Sequence, residues 1–135
     1  TACDGDSNAD GIITIAWVDG INRVKGILTQ PCTVRNPDGA LVEFDMQINS
    51  NIPWSIDDPT PPKMYDLYSN VLHEMGHGAG LAHSQYASAV MYASLNAATE
   101  KRSLTPDDIA AILAKYGASP QAGPYKAVAP GIMRD

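Results

Sequence analysis

Cysteine is nearly missing from this chain: Cys3 and Cys32 are the only two in 135 residues. A metal site closed by four cysteines and a small scaffold built on several disulfides are both excluded. Basic residues are also scarce, 9 Lys and Arg against 15 Asp and Glu, for a net charge of −6. Such a balance argues against nucleic acid, whose phosphates require a basic face. No apolar run approaches the roughly 20 residues of a membrane-spanning helix. No leader-like segment precedes Thr1, so the chain reads as a mature or processed form. What remains is a soluble globular protein, 44% apolar and 18% charged, of a length that supports one domain with one core. The two cysteines are either buried thiols or a disulfide, and the disulfide goes with an extracellular, oxidising compartment.

Histidine is as rare as it is concentrated. All three, His73, His77 and His83, fall in one stretch, His-Glu-Met-Gly-His-Gly-Ala-Gly-Leu-Ala-His. Residues four apart share a helix face, so His73 and His77 can grip one ion. Glu74 is rotated away from that ion and placed to act on water instead. Gly80 permits a sharp or left-handed exit from the helix, which would return His83 as a third nitrogen. Three imidazoles with one open position describe a catalytic zinc, not a structural one. A bare HExxH recurs by chance, but all five fixed positions together arise by accident in on the order of one in 10⁵ chains of this length.

The rest of the chain reads as a small sheet and two helices. Asp6, Asn8 and Asp10, with Gly11, match the first half of a calcium loop, although Trp17 stands where a bidentate Glu is expected. A polar Asx-rich turn accounts for the same residues. Residues 12–17 predict a strand, and residues 26–30 with 32–34 a second, which Pro31 restricts to a sheet edge. The alternation over 41–49 predicts its hairpin partner. A helix starting at Thr60 and Pro61 would turn Tyr65, Leu67, Tyr68, Val71, Leu72 and Met75 toward the sheet. Asp66, Asn70, His73 and His77 would face away. Thr105, Pro106, Asp107 and Asp108 open a last helix that Gly117 stops. Residues 118–135 read as a tail or linker.

These motifs resemble the metzincin zinc endopeptidases, specifically the matrixin-like branch with its short secreted bacterial members, across residues 3–117. Ser84 after the third histidine is the matrixin-like choice. The resemblance implies an α+β fold in which a small twisted mixed sheet packs on the active-site helix (residues 1–80), followed by a Met-turn and last helix (81–117). Met91 would form the apolar floor under the metal. Tyr92 and Ala93 would line the specificity pocket for the residue after the scissile bond. Asp107 would tie the last helix to the Met-turn. Gly26, Ile27, Leu28 and Thr29 would form the edge strand on which substrate lies extended, a form of β-augmentation. The histidines and acids of the structural metal sites of vertebrate matrixins are absent. So are the family's usual N-terminal strand and backing helix, which implies that they were removed or lie on another chain, with a pro-segment or second chain over the sheet, or that this is a reduced variant whose sheet is covered some other way.

The expected activity is secreted, zinc-dependent cleavage of protein or peptide substrates, with Glu74 as general base and without nucleic-acid or membrane partners. A catalytically weak zinc- and peptide-binding module is the alternative. A calcium-binding adhesive module with an incidental metal site is a third reading.

Overall fold

The computed structural model describes residues 9–21 and 26–117. The sheet has three strands: β1 (Ile15–Val18), β2 (Thr29–Arg35) and β3 (Leu41–Asn49). Their order is β1-β3-β2, with β1 parallel and β2 antiparallel to the central β3. A turn at residues 36–39 closes the β2–β3 hairpin as predicted, with Gly39 N–H bonded to the Asn36 carbonyl at 2.8 Å. Pro31 is tolerated because β2 is an edge strand. The β1 ladder starts three residues later than the sequence suggests. Gly11 and Thr14 give their N–H groups to Glu43 and Asp45 side chains at 2.7 and 2.8 Å, so side chains take the donors that a ladder would use there.

Period-two alternation on β3 sends Phe44, Met46 and Ile48 to one face. These three form the buried core, and Trp54, Leu67 and Val71 pack against them. The last two belong to helix α1 (Leu67–Gly78), which carries the histidine pair. Helix α1 begins well after Thr60. Residues 54–55 and 65–66 instead make short parallel strands β4 (Trp54–Ser55) and β5 (Tyr65–Asp66). Thr60 donates its N–H to Glu100 and caps nothing. The cap is Asp66, whose carboxylate accepts Ser69 N–H at 3.1 Å; a short polar residue at that position is what a helix start requires.

The expected facing of α1 is corrected accordingly. Leu67 and Val71 meet the sheet, but Tyr68 and Met75 are 53% and 57% exposed, while Asp66 and Asn70 are buried. Asp66 is inside because Arg102 holds both its oxygens, at 2.7 and 2.9 Å. Helix α2 (Pro106–Tyr116) matches its prediction, with a capping box between Thr105 and Asp108. The architecture is the expected α+β, a small mixed sheet and two helices. Ile13, just before β1, and Ile15 and Trp17 within it stay exposed; residues 15 and 17 lie in register with Met46 and Ile48, on the same face of the sheet.

Candidate metal centre

Helical spacing places His73 and His77 on one face of α1, and the chain then turns back as predicted. Gly80 takes φ +89°, a left-handed value that suits glycine, and Leu81 N–H bonds the Gly76 carbonyl at 2.9 Å. The turn brings in His83. The three ring centroids stand 4.8, 5.3 and 4.8 Å apart, with one ligand nitrogen from each ring within 4.8 Å of the others. Among the described residues no fourth His, Cys, Asp or Glu joins them.

Backbone carbonyls fix the ring tautomers. His73 Nδ1 lies 2.7 Å from the Val90 carbonyl and His77 Nδ1 lies 2.8 Å from that of Leu81. A carbonyl can only accept, so each Nδ1 is the donor and each Nε2 is left with a lone pair, as metal ligation requires. His77 Nε2 sits 3.1 Å from His83 Nε2. Nitrogens bound to one tetrahedral zinc at about 2.0–2.1 Å stand roughly 3.3 Å apart, so this pair fits such an ion. Burial is the main influence on His73 and pulls its pKa below 6.5, against the opposing effects of the Val90 bond and Glu74. A ring kept neutral is a competent ligand.

Glu74 is buried beside the triad. Its Oε1 accepts Thr29 Oγ1–H at 2.5 Å, and its Oε2 is buried without a protein partner. A buried carboxylate oxygen left unbonded is costly and calls for an explanation, of which a catalytic role is one. Thr29, expected as a substrate-strand residue, thus also positions Glu74, and its hydroxyl pairs with Asn70 as well.

Met91 is buried beneath α1. A Cβ on Gly76 would stand 2.2 Å from Met91 Sδ, so glycine at 76 is what lets the thioether pack under the histidine pair. The turn carrying Met91 is held by Asp108, not by Asp107 as the resemblance implied. Asp108 accepts the N–H groups of Val90 and Met91, both at 3.0 Å. Asp107 accepts the Ser84 hydroxyl instead, at 2.5 Å. Val90 is pivotal: its N–H belongs to Asp108 and its carbonyl to His73.

An open cavity of about 430 Å³ lies over the triad. Gly26, Ile27, Leu28 and Thr29 form one wall, Tyr92 and Ala93 another. Only Thr29 of the first group belongs to β2. Residues 27 and 28 precede it, their carbonyls taken by the Asn49 side chain and backbone at 2.9 and 3.0 Å. Asp10 accepts Ile12 N–H at 2.8 Å in an Asx turn; the other candidate calcium ligands, Asp6 and Asn8, lie outside the described residues, as does Cys3.

With this geometry in place, comparison with known proteins is decisive. The matrixin family model, a peptidase family, matches residues 18–117. The chain belongs to the matrixin family. Among relatives, Metalloendoproteinase 1-MMP of Arabidopsis thaliana is 45% identical over 71 residues, 50% of this chain and 20% of that protein. The protein named Probable matrix metalloproteinase 095L, from Invertebrate iridescent virus 3, is 36% identical over 102 residues, 76% of this chain and 26% of its own. Interstitial collagenase of Bos taurus is 42% identical over 66 residues, 49% of this chain and 13% of its own. The matrixin chain therefore spans between 13% and 26% of the length of these relatives.

Sequence reasoning missed three contributors to the site. The Val90 and Leu81 carbonyls act through the backbone and leave no residue-type signal. Lys101, which also lines the cavity, gave no sign beyond its position in the loop after the Met-turn.

Proposed function

We propose that this matrixin is a secreted zinc endopeptidase that hydrolyses extended protein substrates, with residues up to 117 as its catalytic unit. One observation carries the reading: three converging imidazoles, joined by no fourth His, Cys, Asp or Glu among the described residues, next to a buried carboxylate with one unpartnered oxygen. His73, His77 and His83 would hold the ion. Bound there, zinc supplies Lewis acidity and water activated near neutral pH.

The protein's own groups do the remainder. Glu74 Oε2 takes the proton of the attacking water and returns it to the leaving amine. Thr29 keeps Oε1 engaged, so that Oε2 is the oxygen that turns to the substrate. The chain at residues 26–29 aligns the peptide as an added strand and offers a backbone donor to the developing oxyanion. Met91 supports the histidine pair from below. A disulfide between Cys3 and Cys32 fits an extracellular setting, and Cys32 is not a free thiol. The exposed row along β1 supports a covering partner, a pro-segment or second chain. Among the described residues no helix is long and apolar enough to cross a membrane.

The test is Glu74→Gln. The variant should bind one zinc, as wild type does by metal analysis, and lose about 10²–10⁴ in kcat/KM on a casein-derived peptide. Turnover within threefold of wild type would remove Glu74 from its role. Zinc and peptide binding without wild-type cleavage would favour a binding module.

A further inference from the structure

Two neighbouring cations in the loop after the Met-turn do different work. Arg102 is consumed by structure: its guanidinium grips both oxygens of buried Asp66 and the Asp57 carbonyl at 2.8 Å. Lys101 has no such commitment. Its backbone N–H holds Ser69 Oγ at 2.6 Å, which leaves the side chain free to reach into the cavity over the triad. There Nζ lies 4.8 Å from the centre of the Tyr92 ring and 3.4 Å from the Ser94 carbonyl. No carboxylate among the described residues forms an ion pair with it. Among the described residues it is the single Lys or Arg lining the cavity, and Glu74 the single acid.

We propose that Lys101 makes the cavity selective for an acidic side chain, Asp or Glu, at the substrate residue following the scissile bond. This rests on the endopeptidase reading above and on Tyr92 to Leu95 forming the wall of that pocket. An ammonium has three N–H donors, and the Ser94 carbonyl occupies one of them. The Tyr92 ring stabilises the charge through its π face without using a donor. A substrate carboxylate would receive a charge-assisted bond from the remaining donors, stronger than a neutral one. An apolar side chain would instead cover an unpaired cation, which is costly once water leaves. Burial already lowers the Lys101 pKa from 10.5, the mark of an ammonium that has given up part of its hydration.

The experiment compares four peptides differing only in the residue after the scissile bond, Glu, Gln, Leu or Lys, on zinc-loaded wild type, Lys101→Met and Lys101→Glu. Wild type should favour Glu over both Gln and Leu by about five- to tenfold in kcat/KM. Lys101→Met should drop the Glu-to-Leu ratio below one, and Lys101→Glu should shift preference to Lys. Leu preferred over Glu by wild type, or a Glu preference that survives Lys101→Met, would overturn the proposal. Lys101→Arg, which keeps the charge, should retain the preference where a bracing role alone would not require it. If no peptide is cut, the hydrolase reading fails by itself. The same peptides, labelled and titrated by fluorescence anisotropy against zinc-loaded chain, then decide the pocket: tighter Glu binding that Lys101→Met abolishes supports it, and equal affinities for Glu and Leu overturn it.

Discussion

At the scale of single residues, spacing carried most of the site. His73, Glu74, His77 and His83 are legible because a helix and a glycine turn convert spacing into geometry with little freedom left over. Groups acting through the backbone are illegible for the opposite reason, since any residue at 81 or 90 offers the same carbonyl. Gly76 is an intermediate case: its letter suggests a weak point in a helix, and only the packed structure explains it. Replacing it with alanine gains about 1 kcal/mol of helix propensity. The new Cβ, however, meets Met91 Sδ at 2.2 Å, and the buried thioether has to repack within the core to make room. Overpacking costs about 1–3 kcal/mol, so the clash outweighs the propensity. Gly76→Ala should lower the urea midpoint of the metal-free chain and weaken zinc binding, measured by competition with a chelating dye.

At the scale of elements, helix α2 was read correctly because its cap, first-turn proline and terminal glycine are local signals. The start of α1 was misplaced for a related reason. Thr60 and Pro61 have the right letters, but Glu100 and the β4–β5 pair claim that segment, a tertiary contact no local pattern encodes. Two buried acids at the helix starts, the α1 cap Asp66 and the α2 capping-box partner Asp108, also set the acid response. Burial is the largest influence on each and pushes its pKa up. The combined hydrogen bonds outweigh it, led by Arg102 at Asp66 and by Thr105 at Asp108, so both fall below 3.8. A depressed folded-state pKa contributes stability that is present above the unfolded value and lost as pH falls through the folded one. Asp108→Asn should therefore cost about 2–3 kcal/mol at pH 7, since four donors lose a charged acceptor. Measured by chemical denaturation, the gap between wild type and variant should stay constant down to about pH 4 and narrow below it.

At the scale of the whole molecule, the sheet order follows from its strands: an alternating β3 asks for a covered face, and a proline-bearing β2 asks for an edge. The exposure of Ile13, Ile15 and Trp17 could not be read from their letters, because an apolar strand looks the same whether covered or bare. With a core centred on three β3 residues, metal should contribute visibly to stability. Zinc at about 100 times its Kd adds about 2.7 kcal/mol, or roughly 10 °C in Tm for a domain of this size. Calorimetry should show that rise, EDTA should reverse it, and His83→Ala should abolish most of it.

The double engagement of Val90 makes one peptide unit the bearing between two parts of the molecule. A small rocking of α2 would pass through Asp108 to residue 90, and from there tilt the imidazole of His73. Helix α2 thus has mechanical access to the candidate metal ligands from outside the cleft, so a load on that helix would act on the histidine triad as on a lever.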